Sequence, residues 1–74
     1  LNNYIRHIAS EIGADWTTLA RVLDPEIPVN AIIEEEKNDF NRALKFLNTW
    51  RQKNSTNATT DKLDKALLEI SRKD

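Results

Sequence analysis

The amino-acid sequence predicts an all-α protein, and three observations carry that prediction. Apolar residues recur with the 3.6-residue period of an amphipathic helix in four separate segments. Strict alternation of apolar and polar residues, which is typical of a half-buried strand, is absent from the chain. Residues that end and begin helices lie between the periodic segments. A chain of 74 residues has the length of one small domain, so we expect a single compact helical bundle over residues 1–74.

Each periodic segment places its apolar residues on one side of a helix. The four stripes are Ile5, Ile8, Ala9 and Ile12; Trp16, Leu19, Ala20 and Leu23; Phe40, Ala43, Leu44 and Leu47; and Leu63, Ala66, Leu67 and Ile70. A shorter apolar set precedes the third stripe and consists of Val29, Ile32 and Ile33. Trp16 and Trp50 have the largest apolar surfaces, so we expect both of them in the core.

Residues that end or begin helices set the expected boundaries. Gly13, the only glycine, fits a left-handed C-cap after the first helix. Pro25 ends the second helix and Pro28 opens a short third one, because proline is tolerated only in a first turn. The polar residues that can cap or start the other helices are Asp15 for the second, Asn38 or Asp39 for the fourth, and Thr59 or Thr60 for the fifth. The expected helices therefore span about 2–12, 16–24, 28–36, 39–52 and 60–72.

The composition excludes most catalytic chemistry. The chain has no cysteine, one histidine and one glycine, and it contains no Gly-rich phosphate loop, nucleophile elbow or paired metal-ligand motif. No apolar run approaches the ~20 residues that span a bilayer. We therefore expect no enzyme activity, no cofactor, no metal and no membrane insertion by this segment.

Opposite charges are segregated along the chain, although the net charge is only −1. Residues 24–39 hold six acids and one lysine, whereas residues 40–53 hold four basic residues and no acid. Two such molecules can attract each other through unlike surfaces, and the resulting head-to-tail contact propagates into rings or helical stacks. The alternative is that these charges pair within one molecule, and the sequence leaves both interpretations open.

Three segments together resemble a known family. Their sequences are IASEIGADWTTLARVL at 8–23, ALKFLNTW at 43–50 and NATTDKLDKAL at 57–67. In this order and spacing they are similar to the death domain, whose pattern is a helix followed by glycine, tryptophan and Leu-Ala-Arg, then a fourth helix ending in tryptophan, then Ala-Thr opening a fifth helix. The style is closest to adaptor or ankyrin-type death domains.

The resemblance implies a six-helix Greek-key bundle, and this chain departs from it at the end. The chain stops where the sixth helix would begin, so we expect that helix to be truncated or absent, with Ser71–Asp74 as a remnant. Pro25 and Pro28 also give the third helix an unusual start.

The resemblance further implies a non-enzymatic module for homotypic protein–protein interaction. Such a module assembles signalling complexes of apoptosis or innate immunity in the cytoplasm. Its partner is another death-domain protein, either a second copy of the same chain or a different one, and the assembly can extend into a helical oligomer. The parent is then a signalling adaptor, or alternatively a receptor tail or an ankyrin-type cytoskeletal scaffold.

Family interfaces use the second, third and fourth helices, which here carry the segregated charges. The partner-binding residues implied on one side are Arg21, Asp24, Glu26, Glu34, Glu35, Glu36 and Lys37, and on another side Arg42, Arg51 and Lys53.

A helix-turn-helix DNA binder is the rival interpretation from another class, because residues 8–13 and 18–21 superficially resemble that motif. Arg21 would be the only cation of the recognition helix, between Asp15 and Asp24. Such a helix could neutralise few phosphates, so we expect no nucleic-acid binding.

Overall fold

A computed structural model describes residues 2–71, which form an all-helical bundle. The helices are α1 (Asn2–Ile12), α2 (Trp16–Leu23), α3 (Val29–Glu35), α4 (Asp39–Asn54) and α5 (Thr60–Ser71), with short 3-10 turns at Gly13–Asp15 and Ser55–Asn57. No strand occurs between residues 2 and 71, and the prediction of an all-α bundle is confirmed. Residues 72–74, which include most of the proposed remnant of a sixth helix, lie outside the described residues.

Helix α4 occupies the centre of the bundle. Helices α1, α2 and α3 all pack against it, and α2 packs most extensively against α5. Helices α1 and α4 run antiparallel. The hydrogen bond that Arg51, near the end of α4, donates to Asn2 at the start of α1 shows this direction. A central helix with neighbours on several sides has only one orientation that buries its apolar stripe, so the core determines which polar residues face each neighbour.

The core contains residues from all five helices and from two of the connections. Its members are Ile5, Ile8, Ala9, Trp16, Leu19, Ala20, Ile27, Ile32, Ala43, Phe46, Leu47, Trp50, Ala58, Leu63 and Ala66. Trp16 and Trp50 are both buried, as predicted. Ile27 and Ala58 lie in connections, where helical periodicity gives no signal, and the sequence patterns therefore missed them.

The predicted apolar stripe of α4 was right for Ala43 and Leu47 and wrong for Phe40 and Leu44. The buried residues of α4 are Ala43, Phe46, Leu47 and Trp50, whereas Phe40 is 38% exposed and Leu44 is only half-buried. Both sets fit a 3.6-residue period. The observed orientation buries the rings of Phe46 and Trp50, and it therefore removes the larger apolar area from water.

Helix α3 is held to the core by a single deeply buried residue. Ile32 is buried, but Val29 is half-buried and Ile33 is 38% exposed. The expected stripe of three residues therefore contributes mainly through Ile32. Helix α3 is attached less firmly than the other helices, each of which buries two or more residues.

The turn between α1 and α2 differs from the sequence prediction at one residue. Gly13 has φ +56, which confirms the left-handed conformation expected after α1. Asp15 was predicted to cap α2, but its side chain makes no capping hydrogen bond. A capping residue needs an extended backbone, and Asp15 instead continues the 3-10 turn with φ −70 and ψ −3. Within the 3-10 turn, the backbone N–H of Trp16 donates to the carbonyl of Gly13.

The remaining helix ends follow simple backbone rules. Helix α2 ends because Asp24, the residue before Pro25, is extended with φ −160. Asn38 rather than Asp39 caps α4, and its Oδ1 atom accepts the Asn41 N–H at 2.9 Å. Helix α4 continues to Asn54, two residues beyond the expected end.

Replacing Phe46 by Ala is expected to destabilise the fold by about 3–5 kcal/mol, because the side chain is fully buried and leaves a cavity. A domain of this size has a free energy of unfolding of about 5 kcal/mol, so F46A is expected to retain only about 0–2 kcal/mol. The matched control is F40A on the same helix, with an expected cost of about 1 kcal/mol or less. Urea unfolding followed by circular dichroism measures both, and equal losses would contradict the observed orientation of α4.

Candidate functional site

The predicted site residues are all surface charges. Between residues 2 and 71 no polar or charged side chain is buried, and no cluster of His, Asp or Glu could hold a metal ion. None of the helices in this range is long and apolar enough to cross a membrane. The positions of the charges around α4 therefore decide which surfaces they form.

Helix α4 separates its polar residues into two flanks on either side of the buried stripe. Residues 42, 45 and 53 recur with helical spacing and contact α3 and the connection between α2 and α3. Residues 44, 48 and 51 also recur with helical spacing and lie beside α1. We call these the α3 flank and the α1 flank of α4.

On the α3 flank, Lys53 bridges two acids of the α2–α3 connection. Its Nζ atom lies 3.1 Å from Asp24 Oδ2 and 3.1 Å from Glu26 Oε2. The Asp24 carboxylate also accepts the backbone N–H of Glu26 at 3.2 Å. Hydrogen bonds to Asp24 and then Glu26 raise the pKa of Lys53 above its usual value. The bridge ties the α2–α3 connection to the end of α4.

Two further cations on the α3 flank contact α3 itself. Lys45 Nζ lies 3.7 Å from Glu35 Oε2, with both side chains about half exposed. The Arg42 guanidinium donates to two backbone carbonyls, from Nε to Glu36 at 2.9 Å and from Nη2 to Ile33 at 3.2 Å. Arg42 thus contacts the end of α3 through the main chain and not through a carboxylate.

The acids on this side of the molecule outnumber the cations that meet them. We define the acidic surface as Asp24, Glu26, Glu34, Glu35 and Glu36. Two lysines of α4 pair with three of these five acids, Lys53 with Asp24 and Glu26 and Lys45 with Glu35. Glu34 is exposed, Glu36 is half-buried, and neither carboxylate forms an ion pair with any residue of 2–71. Arg21 on α2 and Lys37 after α3 are both exposed.

The α1 flank has the opposite character. Asn2, Ile5 and Arg6 of α1 line a groove of about 230 Å³ together with Leu44 and Asn48 of α4. Arg51 donates a hydrogen bond to Asn2 Oδ1 beside this groove. Asn2 is neutral, so it orients the guanidinium without cancelling its charge. We define the basic surface as Arg6 and Arg51 with the half-buried Leu44 and the exposed Phe40, which lies one turn before Leu44.

The structure therefore distributes the predicted cations differently from their grouping in the sequence. Arg42 and Lys53 lie on the α3 flank, and Arg51 lies on the α1 flank. Arg6 lies on the same flank as Arg51, although it was not among the partner-binding residues predicted from the sequence. The signal was its position directly after Ile5, since residues next to a buried stripe lie at the edge of the helix interface.

A separate contact joins α1 to α5. The Tyr4 hydroxyl donates a hydrogen bond to the Asp64 carboxylate. This hydrogen bond raises the pKa of Tyr4, with smaller contributions from burial and from the charge of Asp64. The contact links α5 to α1 at a position outside the two flanks of α4.

Replacing Lys53 by Gln is expected to lower the melting temperature at neutral pH and to have no effect at high pH. Because the folded state raises the pKa of Lys53, its contribution is fully present below the unfolded value and is lost as pH rises through the folded value. Melting curves of wild type and K53Q at about pH 7 and above about pH 11 measure this. The control is K62Q, since Lys62 forms no ion pair with any residue of 2–71. A difference between K53Q and wild type that persists above the pKa of Lys53 would contradict the bridge.

Comparison with known proteins agrees with this architecture. The family model described as Death domain matches residues 2–74. Ankyrin-3 from Mus musculus, Rattus norvegicus and Homo sapiens is 35% identical over 69 residues, which is 90% of this chain. The chain spans only 4%, 3% and 2% of the length of these relatives, respectively. No solved structure gives a significant match. Because the family model covers almost the whole chain and the fold is the expected helical bundle, this chain belongs to the death-domain family.

Proposed function

We propose that this death domain assembles a signalling complex by docking onto a second death domain through its acidic and basic surfaces. The family is one of protein–protein interaction modules. The observation that carries the finer proposal is the division of charge around α4, with uncompensated acids on the α3 flank and uncompensated arginines on the α1 flank. Surfaces of unlike charge steer encounter and set the register of a complex.

The basic surface has the composition of an interaction site. Arginine and aromatic residues are enriched in the parts of interfaces that carry most binding energy, and here Arg6 lines a groove with Leu44 while the exposed Phe40 lies one turn before Leu44 on α4. The hydrogen bond from Arg51 to Asn2 holds one guanidinium in place before any partner arrives. A preorganised cation loses less conformational entropy on binding.

The acidic surface is the complementary half of the proposal. Glu34 and Glu36 form no ion pair with residues 2–71, and the pair between Glu35 and Lys45 is solvent-exposed and therefore weak. A partner's arginines can then replace water around these carboxylates. Arg21 and Lys37 lie at the rim and would contribute to specificity more than to affinity.

The two surfaces lie on different flanks of α4, so one molecule can use both at once. Contact between unlike surfaces is heterologous, and it closes into a ring or continues as a helical assembly. This geometry supports an oligomer of death domains in place of a simple two-fold dimer. A second copy of this chain already carries both halves of the contact.

The cellular setting that we propose is the cytoplasm, in signalling of the apoptotic or innate-immune kind, with the parent acting as an adaptor. The relatives favour a second candidate for the parent. The 35% identity of this chain to Ankyrin-3 supports a long ankyrin-type scaffold in which this domain is a small part. In either parent the domain would act by contact and without chemistry.

Charge reversal on either surface is expected to weaken self-association, and mixing the two variants is expected to restore a dimer. The variants are R6E/R51E for the basic surface and E34K/E36K for the acidic surface, each expected to weaken association about tenfold or more. Each variant keeps one surface intact. A mixture can therefore form one contact between the two variants, but this contact cannot repeat to build a longer oligomer. Sedimentation velocity at low ionic strength measures all three states, since salt screens this attraction.

The control for this experiment is the double variant K62E/E69K. Both residues are exposed on α5 and lie outside the two surfaces, so self-association should be unchanged. A wild-type protein that stays monomeric at millimolar concentration, or variants that associate as the wild type does, would overturn the proposed function.

A further inference from the structure

Helix α3 has few interactions that would keep it helical without help from its neighbours. It contains seven residues, Val29–Glu35, and isolated helices shorter than about 12 residues are marginal in water. Its N-cap is Pro28, which provides no side-chain hydrogen bond. Only Ile32 is deeply buried. Glu34 and Glu35 of the acidic surface are therefore displayed by the helix with the weakest internal support, and Glu36 follows directly after it.

The charges at the end of α3 lower the stability of this helix further. Glu34, Glu35 and Glu36 lie at the C-terminal end, and the last turn of the helix contains no basic residue. Acids at a helix C-terminus repel the negative end of the helix dipole. The carbonyl groups of the last turn also need hydrogen-bond donors from outside the helix. Both needs can be met by one cation that donates to these carbonyls.

Arg42 supplies these donors from α4. Its Nε and Nη2 atoms donate to the carbonyls of Glu36 and Ile33 at 2.9 and 3.2 Å. The Arg42 side chain is half-buried. The backbone N–H of Arg42 donates to the carbonyl of Asn38, the residue that caps the first turn of α4. A guanidinium offers several donors in one rigid plane, whereas a lysine offers a single point charge. Arg42 forms no ion pair with any residue of 2–71.

From this geometry we propose that Arg42 is a positioning residue, which orders α3 and thereby presents the acidic surface to the partner. Arg42 acts through the carbonyls of α3 and does not contact the partner itself. This inference rests on the proposed function for its consequence in binding. When α3 is disordered, Glu34, Glu35 and Glu36 are no longer presented together, so the apparent affinity falls in proportion to the ordered fraction of α3.

The test compares R42K and R42Q with the control K45Q. R42K keeps the charge but loses the planar set of donors, and K45Q removes a cation of the same flank that contacts α3 only through a carboxylate. The ¹³Cα chemical shifts of residues 29–35 report the helical fraction of α3. Sedimentation velocity of the same proteins reports self-association, with a second copy of the chain as the partner.

The expected result is that R42K and R42Q both lose helical shifts in α3 while the shifts of α1 and α4 stay native. The loss of two hydrogen bonds should lower the ratio of ordered to disordered α3 by about tenfold or more. Self-association should weaken by the same factor as the ordered fraction of α3, and its dependence on salt should keep the wild-type slope. K45Q should keep α3 helical and should associate within about twofold of the wild type.

Three results would overturn this inference. In the first, R42K retains both α3 and self-association, so that charge alone is sufficient. In the second, association falls although α3 stays helical, so that Arg42 is a contact residue. In the third, the whole bundle unfolds, so that its role is general stability. If the wild-type protein does not self-associate, the proposed function fails, and the chemical shifts of α3 still decide whether Arg42 orders that helix.

Discussion

The burial of Phe46 and Trp50 is the constraint on which the other features of this molecule depend. With Ala43 and Leu47 these rings form the buried stripe of α4, and a helix can bury only one stripe at a time. The stripe fixes the rotation of α4, and the rotation places Arg42, Lys45 and Lys53 towards α3 and places Leu44 and Arg51 towards α1. The distribution of charge over the surface is therefore a consequence of apolar packing.

The two flanks use their charges in different ways. On the α3 flank the cations of α4 are engaged with Asp24, Glu26, Glu35 and the end carbonyls of α3, so they hold the segment from 24 to 36 against the core. On the α1 flank Arg51 donates to a neutral amide and forms no ion pair within residues 2–71, and Arg6 is exposed. The sequence had left two interpretations open, charges that pair inside the molecule and charges that attract a partner. The structure shows the first on the α3 flank, where cations of α4 pair with acids, and attraction of a partner by the two arginines of the α1 flank is our proposal.

Much of the fold could be predicted from the sequence because its signals are local. The apolar period identifies the helices, and Gly13, Pro25 and Asn38 each act on the backbone within a few residues. The orientation of α4 could be predicted only in part, since Trp50 was expected in the core but rows through Phe40 and Leu44 or through Phe46 and Trp50 have the same period. Only packing against α1, α2 and α3 distinguishes them. The roles of Arg6 and Arg42 follow from that orientation, and for this reason the sequence identified the charged segments but not the surfaces that they form.

The central claim is that two surfaces of unlike charge, on different flanks of α4, meet between molecules. The most direct measurement is a series of ¹H–¹⁵N correlation spectra recorded over increasing concentrations of the wild-type chain. The account predicts concentration-dependent shifts in two separate groups, one around Arg6, Leu44 and Arg51 and the other around Glu34 and Glu36, with the amides of α5 unchanged. Shifts confined to α5, or to only one of the two surfaces, would contradict it.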